Sequence, residues 1–185
     1  MIKIIAGKHK NKYINTPKSS SARPTSSRLR ETIFNILMHS KSIDIKIYDL
    51  DVIDLFAGSG ALGLEALSRG CKRCIFIDNA INSIKTINNN IKKLNEEKNS
   101  LVIKLDASTP NKKQYCCNLC FIDPPYDFKD ISNIIEKWSN SGWLKNDAIY
   151  IFEKRKSINF HLSNNFQLIE SRIEGISEIL FFKKI

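Results

Sequence analysis

From residue 50 onward the chain alternates short apolar runs with amphipathic segments, and this alternation constrains the fold more than any other feature. The apolar runs, each long enough for one strand, lie at 52–56, 74–78, 101–105, 119–122 and 149–152. Apolar residues recur between them at helical spacing, through residue 67, over 81–94 and over 131–138. Strands that alternate with helices predict a mostly parallel, Rossmann-like α/β sheet with helices on both faces. Two closing strands, at about 166–171 and 178–183, are expected to run antiparallel around Gly175.

A smaller unit precedes the alternating region. Residues 2–6 and 12–16 are β-prone runs on either side of a basic turn, and they predict a hairpin. The Ser/Pro-rich segment 17–27 is typical of a linker, and apolar residues at helical spacing predict a helix over 27–39. We therefore divide the 185 residues into an N-terminal arm, residues 1–40, and a body, residues 41–185.

Acidic residues lie at or near the ends of four predicted strands. They are Asp54, Asp78, Asp106 and Asp123. Because ligands bind beyond the carboxyl ends of the strands in an open parallel sheet, we expect these acids to converge on one edge. The first strand leads into a loop with Gly58 and Gly60, where the backbone can approach a ligand closely at the start of the next helix.

The same loop also satisfies the dinucleotide-binding pattern G-x-G-x-x-G, from Gly58 to Gly63, with Asp78 downstream. A dinucleotide-dependent oxidoreductase therefore stays open as an alternative. Two features weigh against it. Asp54 would place a carboxylate where a pyrophosphate binds, whereas it suits a cationic group such as the amino group of a methionine moiety. Nothing in a dehydrogenase requires the run Asp-Pro-Pro-Tyr at 123–126.

That run, Asp123-Pro124-Pro125-Tyr126, supplies a rigid set of hydrogen-bond acceptors after the fourth strand. The two prolines fix φ and remove two backbone donors, which leaves carbonyl groups pointing outward. A carboxylate and a rigid carbonyl can accept both hydrogens of a planar amino group, so the nitrogen lone pair can attack a methyl group. Tyr126 offers a face on which a base can stack. We interpret all four residues as catalytic; the alternative is an ordinary strand-end turn with a core tyrosine.

The net charge of +10 is concentrated at one end of the chain. The arm contains eight Lys/Arg and one acid, a charge of +7, whereas the body carries only +3. Such an excess indicates a polyanion partner, usually a nucleic acid, because phosphate contacts release counterions. A coding bias toward lysine, the alternative, would not concentrate the excess at one end. The candidate nucleic-acid contacts are Lys8, Lys10, Lys12, Arg23, Arg28 and Arg30.

Five cysteines form a C-x-x-C at 71–74 and a C-C-x-x-C at 116–120. Two such pairs can build a zinc site, but Cys74 and Cys120 lie in or beside predicted apolar strands, so we expect reduced thiols and no metal. No apolar run approaches the ~20 residues of a membrane span, and no signal-peptide pattern opens the sequence. We therefore expect a cytoplasmic protein that does not contact membranes.

The strand with Asp54, the glycine loop, Asp78 and the Asp-Pro-Pro-Tyr run resemble the class I S-adenosylmethionine-dependent methyltransferases that act on exocyclic amino groups. More specifically, the chain resembles the 16S rRNA guanine-N2 methyltransferases of the ribosomal small-subunit methyltransferase D family. The likeness lies in Ile4-Ile5-Ala6-Gly7, in the segment 23–37 that begins Arg-Pro-Thr, and in the segment 54–70 (DLFAGSGALGLEALSRG). The Asp-Pro-Pro-Tyr run alone is less specific, since DNA adenine and protein glutamine methyltransferases share it.

The resemblance implies S-adenosylmethionine as cofactor, with Asp54 near its amino group, Asp78 at the ribose and Asp106 at the adenine amine. The full set of implied cofactor residues is Asp54, Phe56, Gly58, Ser59, Gly60, Asp78, Asn79, Asp106 and Ala107. Residues 123–126 would hold a flipped guanine. The segment with Arg23, Arg28 and Arg30 would contact RNA or cap the active site, and the resemblance does not decide which.

The implied reaction is N2-methylation of one guanine in 16S rRNA of the small ribosomal subunit, by a monomer without metal. N6-methylation of adenine in DNA and a non-catalytic RNA-binding domain stay open as alternatives. Two positions depart from the family pattern: Asp78 replaces the usual Glu, and Lys10-Asn11-Lys12 stands where Lys-Gly-Arg is usual. The second change removes an arginine fork, so the RNA contacts of the hairpin are expected to differ.

Overall fold

The computed structural model describes residues 1–17, 26–43, 45–111, 113–125, 128 and 130–185. The predicted site residues Arg23 and Tyr126 therefore lie outside the described residues. The elements are β1 Ile2–Lys3, β2 Tyr13–Ile14, α1 Ser27–His39, β3 Asp51–Leu55, α2 Ala61–Ser68, β4 Arg73–Asp78, α3 Ile81–Leu94, β5 Ser100–Lys104, β6 Cys117–Ile122, α4 Ile131–Asn140, β7 Leu144–Arg155, β8 Phe166–Glu174 and β9 Ser177–Lys184. The predicted positions agree with these bounds to within a few residues. The main exceptions are β7, which extends well beyond its apolar run on both sides, and the short hairpin strands β1 and β2.

Seven strands form one sheet in the order β5-β4-β3-β6-β7-β9-β8. The first five strands in this order, β5, β4, β3, β6 and β7, are parallel to one another. Strand β9 runs antiparallel to both of its neighbours, β7 and β8. This arrangement confirms the predicted Rossmann-like sheet with an antiparallel last strand. The chain winds from β3 outward to β5 and then starts again at β6, so the topological switch point lies between β3 and β6. Ligands of open α/β sheets bind at the carboxyl edge of that point.

Strand side chains alternate between two apolar cores, one on each face of the sheet. On the first face, Val52 and Phe121 belong to a cluster that includes buried residues of α1, α2 and α3. On the opposite face, Ile53 and Cys120 belong to a cluster that includes Trp138 of α4. We call these the α1 face and the α4 face. The predicted placement of helices on both faces is thereby confirmed.

The arm shares a core with the body. Ile4 and Ile14, from the ends of the β1–β2 hairpin, are fully buried in the α1-face cluster. The carboxylate of Glu65, buried in α2, accepts the backbone N–H groups of Ile5 at 2.9 Å and Ala6 at 3.0 Å. The boundary at residue 40 thus divides the chain by charge, while apolar packing and buried hydrogen bonds run across it.

The hairpin tip is fixed by close backbone approach and by a buried acid. Gly7 has φ of 79°, and a Cβ on it would lie 1.8 Å from the carbonyl oxygen of Ser68. Next to it, the Nε2 atom of His9 lies 2.5 Å from a carboxylate oxygen of Glu96, and both residues are buried. Lys8 reaches the same oxygen at 2.7 Å. The tip is therefore held against the body at two points.

Four of the five cysteines are buried within the fold, and Cys116 is exposed. Burial raises the pKa of the Cys71 thiol to about 12, which keeps it protonated. Within the described ranges, no group of three or more His, Cys, Asp or Glu side chains is arranged to hold a metal ion. Among the helices of the same ranges, none combines the length and apolar character needed to cross a membrane.

Candidate active site

A cavity of about 870 Å³ opens at the carboxyl edge of the sheet, around the switch point between β3 and β6. Its walls come from the ends of β3, β4, β5, β6 and β7, from the turn between β8 and β9, and from the starts of α1 and α2. Predicted site residues that line it are Arg28, Asp54, Phe56, Gly58, Ser59, Asp78, Asn79, Ala107, Asp123, Pro124 and Pro125. Pockets that bind small molecules usually fall in the size range of about 300–1,000 Å³.

The glycine loop after β3 turns sharply to place the N-terminus of α2 at this cavity. Phe56, Gly58 and Gly60 all have positive φ, of 60°, 56° and 77°. Gly60, which is outside the cavity wall, precedes α2 and donates its N–H to the carbonyl of Ala57 at 2.6 Å. Gly63 serves packing, because a Cβ on it would lie 2.4 Å from the ring of Phe76. The loop thus combines left-handed turns with close helix–strand contact.

Asp54 is a buried carboxylate on the wall, with 2% of its surface exposed. One of its oxygens accepts the backbone N–H of Gly63 at 3.0 Å. Burial raises the pKa of Asp54 to about 8; the Gly63 hydrogen bond opposes this rise, and the nearby charge of Asp78 adds to it. A cation in the cavity would favour the charged form of Asp54.

Asp78 connects the end of β4 to the glycine loop. Its Oδ2 atom accepts the N–H of Gly58 at 2.8 Å, and its Oδ1 atom accepts the N–H of Ala80 at 2.8 Å. Each carboxylate oxygen has a second lone pair, so Asp78 can still accept hydrogen bonds from two hydroxyl groups of a ligand. The arrangement suits the ribose role that the sequence analysis assigns to this residue.

The end of β5 contributes Leu105 and Ala107 to the wall, while Asp106 between them is exposed and lies outside it. The Asp106 carboxylate accepts the backbone N–H of Ser108 at 2.8 Å, which lowers its pKa. Trp138 of α4 fixes the backbone at Ala107, because its indole N–H donates to the Ala107 carbonyl at 2.7 Å. Of the predicted cofactor residues, Asp106 and Gly60 are thus the two that do not line the cavity.

The loop after β6 brings Asp123, Pro124 and Pro125 to the wall. Pro125 accepts the backbone N–H of Phe128 at 2.9 Å, and the ring of Phe128 packs edge-on against Phe56 with centroids 5.0 Å apart. Aromatic contact therefore joins this loop to the end of β3.

The predicted basic contacts occupy different environments. Lys10 and Lys12 are exposed near the hairpin turn, and Lys8, also exposed, is paired with Glu96. Arg28 lines the cavity mouth with its side chain 82% exposed, and its Nε atom lies 2.6 Å from a carboxylate oxygen of Glu174. These positions leave Lys10, Lys12 and Arg28 accessible to a large ligand.

Arg30 corrects the sequence analysis. It is fully buried, and it donates from its guanidinium to the carbonyl of Lys3 at 2.8 Å. Burial lowers its pKa, an effect that the charge of Glu65 opposes. Arg30 joins α1 to the hairpin and has no exposed surface for RNA, so it is removed from the candidate RNA contacts.

Residues outside the predicted catalytic and cofactor set line the far end of the cavity. They are Glu153 and Arg155 at the end of β7, and residues 174–177 at the turn between β8 and β9. Glu153 directly follows the apolar run 149–152, just as Asp123 follows its own run. The signal that identified the other strand-end acids was therefore present at Glu153 as well.

The sheet order with antiparallel β9 between β7 and β8, the glycine loop after β3 and the acid at the end of β4 define a class I methyltransferase fold. Residues 2–183 match the model of one family, described as conserved hypothetical protein 95, and the chain belongs to that family. This agrees with the resemblance found in the sequence.

Individual relatives span nearly the whole chain. The ribosomal RNA small subunit methyltransferase D of Haemophilus influenzae is 31% identical over 95% of this chain and 90% of its own length. An uncharacterized methylase of Rickettsia prowazekii is 30% identical over 99% of this chain and 98% of its own. A solved Escherichia coli protein, described as a candidate methyltransferase, aligns with a TM-score of 0.82 and 29% identity, covering 99% of this chain and 97% of its own.

Proposed function

We propose that the protein transfers a methyl group from S-adenosylmethionine to the exocyclic N2 atom of a guanine in 16S rRNA of the small ribosomal subunit. The observation that carries the proposal is one continuous cavity lined by Asp54 and Asp78 at the ends of β3 and β4 and by Asp123 and Pro124 just after β6. The relationship to the Haemophilus influenzae rRNA methyltransferase supports the choice of rRNA as substrate.

The β3–β4 end of the cavity fits the cofactor. Gly58 and Ser59 would border its methionine part, and the buried charge of Asp54 would attract its amino group. Asp78 would accept the ribose hydroxyls with its remaining lone pairs, and Asn79 and Ala107 would border the adenine. The bound cofactor supplies a methyl group on a positively charged sulfonium, which is a good leaving group.

The β6 end of the cavity holds the acceptor amine. Asp123 and the carbonyl of Pro124 accept the two hydrogens of the guanine N2 group, which turns the nitrogen lone pair toward the methyl group. The same two acceptors stabilise the positive charge that develops on N2 as the new bond forms. The methylated nitrogen is acidic and releases its proton to water, so no strong base is needed. Because the target base must leave its stack, which costs a few kcal/mol, RNA contacts outside the cavity are needed as well.

Those contacts come from the exposed basic residues near the cavity mouth and on the hairpin. Arg28 lies at the mouth, and Lys10 and Lys12 extend the positive surface along the arm. Phosphate contacts of this kind position the RNA without reading its sequence.

Methyl transfer to defined substrates tests the proposal. Purified protein is incubated with labelled S-adenosylmethionine and, in parallel, with small ribosomal subunits, naked 16S rRNA and DNA, and the products are digested to nucleosides. We expect N2-methylguanine from one of the two RNA substrates. N6-methyladenine from DNA, or binding of NAD in place of S-adenosylmethionine, would refute the proposal.

Replacing Asp123 tests the acceptor half separately. Asp123→Ala should reduce transfer at least 100-fold, since it removes one of two polar groups that act only on the reacting amine. Binding of S-adenosylmethionine, measured by calorimetry, should stay within about threefold of wild type, because the cofactor end of the cavity is unchanged. Asp147→Ala, at an exposed position near the start of β7, is the matched control. Unchanged transfer in Asp123→Ala would contradict the assigned role.

A further inference from the structure

Holding an amino group does not by itself select guanine. Asp123 and the Pro124 carbonyl can accept the hydrogens of any exocyclic amine, and adenine carries one as well as guanine does. A site that methylates only guanine therefore needs a further group that distinguishes the ring atom next to the amine. In both bases that atom is N1. Guanine N1 carries a hydrogen and is a hydrogen-bond donor, whereas adenine N1 has a lone pair and is an acceptor.

Glu153 and Asp123 each directly follow the last paired residues of two neighbouring strands. In the pairing of β6 with β7, the last partners are Ile122 and Phe152, so Asp123 and Glu153 are the next residues along two parallel neighbours. Neighbouring strands lie about 4.8 Å apart, and residues side by side in such a pair project toward the same face. Asp123 and Glu153 both line the cavity, and both come two residues after members of the α1-face cluster, Phe121 and Ile151.

The Glu153 side chain is buried and oriented. Only 6% of its surface is exposed, although it belongs to the cavity wall. The hydroxyl of Ser177, at the start of β9, donates to the Oε1 atom of Glu153 at 2.9 Å. A carboxylate in such a place is costly unless it accepts hydrogen bonds, and an oriented one forms them with less loss of side-chain entropy.

We propose that Glu153 is the specificity-determining residue of the site, and that its carboxylate accepts the N1–H of the target guanine while Asp123 and Pro124 hold N2. This inference rests on the proposed function and deepens it. Guanine presents N1–H and the N2 amino group as adjacent donors, which two neighbouring carboxylates match. Adenine would place the lone pair of N1 against the Glu153 carboxylate, so the same site rejects it. The Asp-Pro-Pro-Tyr run could thus serve either base, and the residue on β7 decides between them.

The position of Glu153 along the edge agrees with this assignment. In the sheet order, β7 lies three strand spacings from β4, which is about 14 Å from the Asp78 end of the cavity. Asp123 lies between the two. The order Asp78, Asp123, Glu153 therefore places ribose, reacting amine and the far edge of the acceptor base in sequence across one cavity.

A base analogue separates this role from a purely structural one. 2-Aminopurine keeps the amino group at C2 but carries a lone pair at N1, so it can accept a methyl group while lacking the hydrogen that Glu153 would bind. The probe is RNA with 2-aminopurine at the position that the wild-type protein methylates, placed in naked RNA or in reconstituted subunits, whichever serves as substrate. The measured quantity is the ratio of kcat/KM for guanine to that for 2-aminopurine.

For wild type we expect the ratio to favour guanine by roughly 10- to 150-fold, the factor that one charge-assisted hydrogen bond confers. In Glu153→Gln the ratio should fall to about 3-fold or less, because an amide can donate to the N1 lone pair of 2-aminopurine. Glu178→Gln, the same change outside the cavity on β9, should keep the wild-type ratio. Loss of O6 in the analogue affects all variants alike and cancels in the comparison.

The outcomes distinguish the inference from the proposed function. If the wild type forms no N2-methylguanine, the proposed function is refuted, and the inference about Glu153 is refuted with it. If wild type forms it and Glu153→Gln slows guanine and 2-aminopurine equally, Glu153 has only a structural role and the inference is overturned.

Ser177→Ala provides a second variant in case Glu153→Gln does not fold. It leaves the carboxylate charge in place and removes a hydroxyl that donates to it, so the guanine preference should fall several-fold while S-adenosylmethionine binding is unchanged. An unaltered preference in folded Ser177→Ala, together with an unfolded Glu153→Gln, would also overturn the inference.

Discussion

Replacing Asp54 with asparagine separates the stability cost of a buried carboxylate from its contribution to cofactor binding. Asparagine has nearly the same shape, and its side-chain oxygen can still accept the Gly63 N–H that Asp54 accepts at 3.0 Å. The substitution removes the ability of this side chain to ionise. The structure therefore predicts opposite effects of Asp54→Asn on the two properties, with stability rising and affinity for S-adenosylmethionine falling.

The size of the stability effect follows from the pKa. Burial raises the pKa of Asp54 from 3.8 to about 8, so the folded protein holds this proton more tightly than the unfolded chain does. The contribution of Asp54 to the stability of the wild type accordingly falls as the pH rises above 3.8, and the loss is complete only above about pH 8. At pH 7 the corresponding penalty is at most about 4 kcal/mol, and relaxation of the protein around the charge reduces it. We expect Asp54→Asn to be more stable at pH 7 by about 1–4 kcal/mol.

Denaturant unfolding of both proteins at pH 5, 7 and 8.5 measures the difference. The stability gain of Asp54→Asn should be small at pH 5, larger at pH 7 and largest at pH 8.5. Asp147→Asn, the same change at an exposed position of β7, is the matched control. Calorimetry at pH 7 should show roughly tenfold weaker binding of S-adenosylmethionine to Asp54→Asn, since one charged contact is lost. A gain that is independent of pH, or a variant less stable than wild type at pH 7, would refute the reasoning about Asp54.

Two further substitutions test the arm. Glu65→Ala removes the buried acceptor of two hairpin N–H groups and should destabilise the protein by about 3–5 kcal/mol, as measured by denaturant unfolding. Backbone hydrogen exchange in residues 2–6 should also become faster. Unchanged exchange in these residues would contradict the anchoring role of Glu65. Arg28→Glu should leave stability within about 1 kcal/mol, because its pair with Glu174 is exposed on the arginine side. It should weaken RNA binding and lower the slope of log K against log salt by about 1, and an unchanged slope would exclude Arg28 from the RNA contacts.

The strand and helix positions were predictable because each is encoded by a local pattern. The place of β9 between β7 and β8 was not predicted. The short turn at Gly175 shows only that β8 and β9 pair with each other, and this holds whether β8 or β9 is the neighbour of β7. A signal for the order was nevertheless present. Ile179 to Phe182 is a continuous apolar run, which is typical of a strand covered on both faces, whereas residues 166–174 mix polar and apolar residues as an edge strand does.

The candidate site was predictable where a residue directly follows a parallel strand. Asp54, Asp78 and Asp123 meet at one cavity because the sheet brings the carboxyl ends of its strands together. Arg30 shows where the reasoning failed. Its charge predicts an exposed position, whereas its spacing of four and seven residues to Phe34 and Leu37 places it on the buried stripe of α1.

The structure limits the experiments that can test the role of the basic arm in RNA binding. If its charge alone mattered, deleting residues 1–40 would test its role in RNA binding. The structure excludes that design, because Ile4, Ile14 and Phe34 complete the α1-face core and Arg30 joins α1 to the hairpin. A deletion would therefore expose the core, and lost RNA binding would report unfolding. Charge reversal at exposed positions such as Lys10, Lys12 and Arg28 changes the surface while the buried contacts remain, so only that design can assign RNA affinity to the arm.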